Sequence, residues 1–140
     1  MIRKFNFFLV TVVVFMSGLL THSNLANAIA TPQSMQIKKI VKLGQASWYS
    51  EKSPGVRPRT ASNEVFDDSE LTCAMWGVPF HQMVKVTNLD NGKSVIVRVN
   101  DRGPHTRYYQ RGRIIDLTQK AFSQLSNLKH GIIRVQIEFL

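Results

Sequence analysis

Two runs of alternating apolar residues, on either side of Asn91-Gly92, constrain the fold of this chain more than any other feature. Residues 84–87 and 95–99 each alternate apolar and polar or outward-facing side chains, which is the period of a β-strand. Asn-Gly between such runs is a strong hairpin signal, because a type I′ turn needs positive φ at both central residues. The sequence therefore predicts a β-hairpin with a type I′ turn at Asn91-Gly92.

The second strand of this hairpin runs into a polar stretch that ends in a turn. Asn100 and Asp101 close the strand, and Gly103-Pro104 follows directly. A strand end is a place where a rigid backbone holds a side chain at a surface that a ligand can reach. A solvated turn aspartate is the alternative, since Asp is common in turns. Asp101 is therefore the first candidate for a functional acid.

The rest of the pattern predicts a small, mainly β domain. A loop is expected at residues 51–59, where prolines and a glycine interrupt any regular structure. Thr118 is placed to cap a short helix whose apolar residues share one face. Further strands are expected at residues 44–50, 71–75, 113–117 and 132–139. Five or six short strands and one helix in about 95 residues indicate a small β-barrel.

The N-terminal residues have the pattern of a secretory signal peptide. Two cations precede an apolar run at residues 7–20, and small residues follow, so cleavage is expected after Ala28 or Ala30. The run is shorter than the roughly 20 residues of a membrane span. We expect a signal peptide at 1–30, a basic leader at 31–42 and the domain at 43–140. With no cysteine near the cleavage region, the exported protein is expected in the periplasm or cell wall without a lipid or other membrane anchor.

Charge and cysteine content narrow the function classes. The formal net charge is +9, and it falls to +7 without the first 30 residues, which carry Arg3, Lys4 and no acid. Export argues against nucleic acid as the partner, so this basic surface favours anionic envelope polymers or simply keeps the protein soluble. Cys73 stands alone and is expected to pack as a small buried hydrophobe. No metal is expected, because the acids lack a His or Cys at ligand spacing.

Five motifs follow one another over nearly all of the expected domain: residues 44–49 (GQASWY), 60–67 (TASNEVFD), 71–75 (LTCAM), 84–104 and 112–118 (GRIIDLT). Together they resemble one known family, the septal lytic transglycosylases of the rare lipoprotein A type. The resemblance implies a six-stranded double-psi β-barrel with one or two short helices. It is a weaker guide to activity than to fold.

The activity that this resemblance implies is endolytic cleavage of peptidoglycan glycan strands. A lytic transglycosylase breaks the bond from N-acetylmuramic acid to N-acetylglucosamine, and the sugar's own 6-hydroxyl closes a 1,6-anhydro ring. One carboxyl group is enough for both proton transfers, unlike the paired acids of most glycoside hydrolases. Asp101 matches the family's catalytic aspartate. No cofactor is implied, and we expect a monomer acting on glycan strands, including those stripped of stem peptides.

The resemblance also implies supporting residues. Glu64 and Asp67 match the family's supporting acids, whose negative charge would help Asp101 to hold its proton if all three line one groove. Asp116, at another strand end, is expected to be structural first, bonding the backbone where the following helix starts, with a role in the site as the alternative. Further groove candidates are Trp48, Tyr49, Arg102 and Arg113, with Arg59 and Tyr108 as weaker ones.

The two aromatic residues of the first strand allow two interpretations of their role. Trp48 and Tyr49 suit stacking on sugar rings, and they equally suit packing inside the barrel. By strand alternation, only one of them is expected to face the groove.

Three departures from the family pattern stand out. The family's L-T-A-A-H ends in a site histidine, whereas this chain has Met75, which carries no charge and donates no hydrogen bond. His81 and His105 are the spatial substitutes to consider. Asn63 stands where the family has glycine, and Asn tolerates positive φ. The family's sporulation-related repeat domain does not follow Leu140, so septal targeting through it is not expected.

Two other function classes remain open. One is a non-catalytic peptidoglycan-binding module, or an expansin-like module that loosens the wall, since expansins resemble this barrel at fold level. The other is a structural envelope protein that works through its basic surface. Detection of 1,6-anhydro products separates the enzyme from both.

Overall fold

A computed structural model describes residues 39–140 of the chain. The expected signal peptide and most of the expected leader lie outside the described residues. The strands are β1 (Val41–Tyr49), β2 (Thr72–Ala74), β3 (Met83–Asn88), β4 (Ser94–Asp101), β5 (Arg113–Thr118) and β6 (Ile132–Phe139). The helices are α1 (Thr106–Tyr109) and α2 (Gln119–Leu125), and a 3₁₀ turn spans Leu128–His130. β1 begins two residues before the expected domain start at 43.

The six strands close into a barrel in the order β1-β5-β2-β4-β3-β6, so the expected mainly β, six-stranded fold is confirmed. β1 pairs in parallel with β5, and β2 pairs in parallel with β4, whereas the other neighbours are antiparallel. Closure leaves no open sheet edge in the described part of the chain. Within residues 39–140, no helix is long and apolar enough to span a membrane.

The predicted hairpin is confirmed, but the predicted type I′ turn is wrong. β3 and β4 pair as far as Thr87 and Ser94, and the connection between the strands is longer than two residues. Gly92 has a φ of +73°, whereas Asn91 does not have a positive φ. The side-chain amides of Asn88 and Asn91 donate to the Leu125 carbonyl at 3.1 and 2.9 Å. The turn is thus shaped by its attachment to the end of α2.

The core fills the barrel and the gap beneath α2. Ala121, Phe122 and Leu125 of α2 are fully buried, and the Thr118 hydroxyl accepts from the Ala121 N–H at 3.4 Å, so the predicted capped helix is confirmed. Cys73 is also fully buried, as expected for a small hydrophobe. Burial raises the pKa of the Cys73 thiol, which keeps it protonated and unreactive.

Barrel closure brings two acidic strand ends together. Ala74, the last residue of β2, pairs with Asp101 of β4 on one side and with Asp116 of β5 on the other. Ser47 of β1 pairs with Asp116 in turn. Residues that are far apart in the sequence therefore lie side by side across four adjacent strands.

Candidate active site

An open groove of about 610 Å³ lies over these strand ends. One wall comes from the loop between β1 and β2, and the other comes from the chain that follows β4. Its lining residues are Trp48, Tyr49, Ser53, Pro54, Gly55, Val56, Arg57, Arg59, Thr60, Ala61, Ala74, Asp101, Arg102, His105, Arg113 and Asp116. The groove thus holds two carboxylates, four arginines and one histidine.

Asp101 lies in this groove with one carboxylate oxygen held and the other available. Its Oδ1 accepts hydrogen bonds from the backbone N–H of Ala61 at 2.9 Å and from the backbone N–H of Arg102 at 2.8 Å. Its backbone carbonyl accepts the Met75 N–H at 3.1 Å. Within residues 39–140, Oδ2 has no protein donor at hydrogen-bond distance. The carboxyl group is therefore fixed in orientation and keeps an oxygen for a ligand.

The turn after Asp101 is held against the end of β2. Gly103 passes so close that a Cβ atom there would lie 2.9 Å from the Trp76 backbone nitrogen. The Trp76 indole donates to the Pro104 carbonyl at 2.8 Å. Only glycine allows this approach, so the Gly-Pro pair seen in the sequence anchors the strand end that carries Asp101.

Asp116 also lines the groove, but all of its visible partners are structural. Its Oδ1 accepts from the Ser47 hydroxyl at 2.6 Å and from Arg113 Nε at 2.7 Å, and its Oδ2 accepts from the same guanidinium at 3.1 Å. The expected bond to the backbone at the helix start is made by Thr118 instead. Asp116 therefore belongs to the groove, as a carboxylate whose charge is compensated.

Glu64 lies outside the groove lining. It forms a bidentate ion pair with Arg98 at 2.7 and 3.0 Å, and it accepts from the Asn100 side-chain amide at 3.1 Å. These bonds, above all those from Arg98, lower the Glu64 pKa to about 2. The negative charge of Glu64 is thus compensated by Arg98. Glu64 was expected to help Asp101 hold its proton only if both acids line one groove, and Glu64 does not line it.

Asp67 also lies outside the groove lining. Its Oδ1 accepts from the Ser69 hydroxyl at 2.6 Å and the Ser69 N–H at 2.8 Å, which lowers its pKa. Carboxylate oxygens of Glu51, Asp67 and Asp68 lie within 4.8 Å of one another on the surface. Exposed acidic clusters of this kind are common without an ion, so we assign it no ligand.

Trp48 and Tyr49 both border the groove, where alternation predicted only one. They lie at the end of β1, where the chain leaves the barrel. The Trp48 indole donates to the Leu128 carbonyl at 3.1 Å, and the Tyr49 ring stacks on Phe66 with centroids 4.8 Å apart. Both side chains thus also make contacts within the protein, Trp48 through a hydrogen bond and Tyr49 through ring stacking.

The Tyr49 hydroxyl is buried and has no hydrogen-bond partner within residues 39–140. Burial, followed by the charges of Asp101 and Asp116, raises its pKa, so the phenol stays protonated. A buried hydroxyl without a partner is a local cost to stability.

Position 75 contributes no side chain to the groove. Met75 is fully buried in the hydrophobic core. His105 does line the groove, and its Nδ1 accepts the Arg107 N–H at 3.3 Å, whereas exposed His81 lies 3.7 Å from Glu64. Of the two possible substitutes for the family's histidine, the structure therefore brings only His105 to the groove.

Asn63 has a φ of +70°, as expected for a residue in the glycine position of the family motif. The loop around it is tied to β4, since the Ser62 N–H donates to the Asn100 carbonyl at 3.1 Å. This loop carries Ala61, whose N–H holds Asp101.

Sequence reasoning did not identify the loop wall formed by residues 53–57, including Arg57. The loop was recognised by its prolines, but nothing in its sequence indicates that it folds over Asp101. The signal that existed was its position directly after β1, whose end reaches the groove.

Comparisons with known proteins identify the family of this chain. The family model described as "Lytic transglycolase" matches residues 41–137. The chain is 49% identical over 98 residues to the "Probable endolytic peptidoglycan transglycosylase RlpA" of Treponema pallidum, covering 70% of this chain and 29% of the relative. It is 42% identical over 103 residues to the "Endolytic peptidoglycan transglycosylase RlpA" of Vibrio cholerae serotype O1, covering 74% and 37%. The chain thus spans less than half the length of these relatives.

A solved structure supports the fold. The apo form of the expansin from Clavibacter michiganensis superimposes with a TM-score of 0.55 at 19% identity, covering 72% of this chain and 50% of that one. At this identity the likeness concerns the fold alone. With the strand order above, it confirms the expected double-psi β-barrel.

Proposed function

Since this chain belongs to the lytic transglycolase family, we propose that it is an endolytic peptidoglycan transglycosylase. In this proposal it cleaves the bond between N-acetylmuramic acid and N-acetylglucosamine inside glycan strands and leaves a 1,6-anhydro end. The observation that carries the proposal is the Asp101 carboxyl group in the groove, with Oδ1 fixed by two N–H donors and Oδ2 without a donor from residues 39–140.

Asp101 performs both proton transfers. The protonated carboxyl group donates its proton to the glycosidic oxygen as the bond to the muramic C1 breaks. The carboxylate so formed takes the proton of the 6-hydroxyl, whose oxygen bonds to C1 and closes the anhydro ring. The acid is regenerated and no water is consumed, so one suitably placed carboxyl group is sufficient.

Asp116 is not the second acid of a hydrolase in this proposal. Its oxygens are engaged by Ser47 and by both nitrogens of the Arg113 fork. A hydrolase needs its second carboxylate to attack the sugar or activate water. The role that fits Asp116 is to hold Arg113 in the groove wall.

Glu64 supports Asp101 by position, not by charge. Its bonds to Arg98 and Asn100 connect β4 to the loop at residues 60–64, and the Ala61 N–H of that loop holds Asp101 Oδ1. Asp67 stabilises the turn at Ser69, next to the same loop. Trp48, Tyr49, Arg102 and Arg113 form the groove surface against which the glycan lies.

Export to the periplasm or cell wall and a monomeric state complete the proposal. Peptidoglycan glycan strands, including those without stem peptides, are the partner. The basic surface suits a polyanionic wall. The substrate is outside the cytoplasm, so the enzyme must be exported to reach it.

The test is incubation of the purified protein with peptidoglycan strands and detection of 1,6-anhydro ends by mass spectrometry. Wild-type protein is expected to form them, and Asp101→Asn is expected to lower their rate at least 100-fold while it still binds strands. Asp90→Asn, which removes an exposed carboxylate bonded to Arg134, is the matched control.

Two results would contradict the proposal. Equal product from Asp101→Asn would remove Asp101 from its role. Binding to sacculi without anhydro product from wild-type protein would favour the non-catalytic binding module.

A further inference from the structure

The arginines of the groove differ in what compensates their charge. Arg113 is paired with Asp116. Arg57, Arg59 and Arg102 also line the groove, and within residues 39–140 none of them has a carboxylate oxygen within 4.0 Å. With Asp101 as the one remaining acid in the lining, the groove keeps an excess of positive charge.

Two of these arginines are fixed in place by neutral groups. Arg59 Nη1 donates to the Asn63 carbonyl at 2.8 Å. Arg102 Nη1 donates to the Val78 carbonyl at 3.0 Å, and the Arg102 guanidinium carbon lies 3.5 Å from the Phe80 ring centroid. A carbonyl or an aromatic ring orients a guanidinium without neutralising it. Both side chains are therefore oriented and keep their charge and several N–H donors.

Both arginines are tied to the residue that carries the chemistry. Arg102 directly follows Asp101 and donates its backbone N–H to the Asp101 carboxylate. Arg59 lies two residues before Ala61, the other donor to that carboxylate. Both residues also line the groove that holds Asp101, so a ligand lying in that groove meets them on the same surface as the Asp101 carboxylate.

We propose that Arg59 and Arg102 form a subsite that binds a carboxylate of the glycan strand beside the cleavage point. This inference rests on the proposed function. A planar guanidinium offers parallel N–H donors that match a carboxylate, and a charged pair in a partly enclosed groove is stronger than a neutral contact. The strand offers two sources: the lactyl carboxylate of muramic acid, free where the stem peptide is absent, or a carboxylate of the stem peptide itself.

The experiment measures binding in the Asp101→Asn background, so that strands are not consumed. Three probes are used: strands without stem peptides, the same strands with their carboxylates converted to neutral methylamides, and strands that carry stem peptides. Arg59→Gln and Arg102→Gln are each expected to weaken binding of a carboxylate-bearing probe about five- to tenfold. Lys129→Gln removes the same charge from an exposed residue outside the lining and is the control.

The amidated strands distinguish a carboxylate from any other contact. Amidation is expected to weaken binding by the unsubstituted protein about as much as the arginine substitutions do, and those substitutions are expected to have no further effect on amidated strands. A loss seen on strands without stem peptides identifies the lactyl carboxylate, and a loss confined to strands with stem peptides identifies a peptide carboxylate. Equal losses on free and amidated strands would overturn the subsite, as would no loss on any probe.

Folding is controlled by melting temperature and by Arg59→Lys and Arg102→Lys, which keep the charge but not the fork and are expected to give intermediate affinity. The binding readout also separates this inference from the proposed function. If wild-type protein forms no anhydro product but binds free carboxylates through the two arginines, the transglycosylase proposal fails and the subsite stands.

Discussion

The carboxylates of Asp101 and Glu64 are held by different kinds of hydrogen-bond donor. Glu64 meets the Arg98 guanidinium in a bidentate pair and gains an amide from Asn100, so both of its oxygens are occupied. Asp101 is held by two backbone N–H groups on a single oxygen. One carboxylate is bound to a compensating cation, and the other is oriented by neutral donors and keeps an oxygen that no donor within residues 39–140 reaches.

This contrast shows that a small barrel can place two of its nine acidic residues in chemically different settings. A carboxylate in a salt bridge is a poor proton donor, because the cation stabilises its charged form. Within residues 39–140, the two backbone N–H groups fix the orientation of the Asp101 carboxylate without a cation bound to its oxygens. The loop at residues 60–64 connects the two regions, since it carries both Glu64 and the Ala61 N–H.

The largest expected effect separates the two acids by activity. Asp101→Asn is expected to abolish at least 99% of anhydro product formation, whereas Glu64→Gln is expected to lower kcat about tenfold or less with KM unchanged, because it only loosens the loop that holds Asp101. Glu64→Gln is expected to lower stability by about 1 kcal/mol. Product rates and urea unfolding of both variants check this.

A double-substitution cycle sharpens that prediction. If Glu64 acts through its pair with Arg98, then Arg98→Met should lower kcat about as much as Glu64→Gln, and the double variant should be no worse than either. Additive losses, or a Glu64→Gln rate as low as that of Asp101→Asn, would instead give Glu64 a direct part in proton transfer.

The second prediction concerns Met75, whose backbone N–H supports Asp101 while its side chain fills the core. Met75→His, which restores the family residue, is expected to cost about 2–3 kcal/mol because it buries a polar ring without a partner. Met75→Leu is expected to cost less than about 1.5 kcal/mol and to keep the product rate. Denaturant unfolding and the anhydro-end assay measure both. A stable Met75→His variant with a raised product rate would contradict this prediction, since it would mean that a histidine side chain at position 75 reaches the site.

The third prediction uses acid pH to release Glu64. Its pKa is lowered to about 2 in the folded protein, so its pair with Arg98 stabilises the fold above the ordinary carboxyl pKa of 4.5 and loses that contribution as the pH falls toward 2. The difference in melting temperature between wild type and Glu64→Gln should therefore be constant from pH 7 to pH 5 and shrink below pH 4.5. A difference that stays constant down to pH 2.5 would contradict the ion pair.

The smallest expected effect concerns Tyr49. Tyr49→Phe keeps the ring stack on Phe66 and removes a buried hydroxyl that has no partner within the described residues. Stability is expected to rise by about 1 kcal/mol. Tyr109→Phe is the control, because the Tyr109 hydroxyl accepts from Lys42 and its removal should bring no gain. Thermal unfolding of the pair checks this, and a loss of stability in Tyr49→Phe would mean that the hydroxyl has a partner.

Most of the local structure was predictable from the sequence. The alternation at residues 84–87 and 95–99, the Thr118 cap and the positive φ at Asn63 all depend on near neighbours, and the structure has each of them. The prediction of a type I′ turn was wrong because this turn depends on a distant partner. Asn88 and Asn91 bond to Leu125, a partner more than 30 residues away that no local pattern reveals.

The sequence by itself determined the family motifs, the strand and helix positions, and Asp101 as an acid at a strand end. Only the tertiary structure decided which other acid shares its groove. Asp116 lines the groove because β5 pairs with β2 when the barrel closes. Glu64 does not share it, because its carboxylate is bound to Arg98. The physical reason is that side-chain environment depends on which strands become neighbours, and barrel closure joins residues whose separation along the chain carries no local signal.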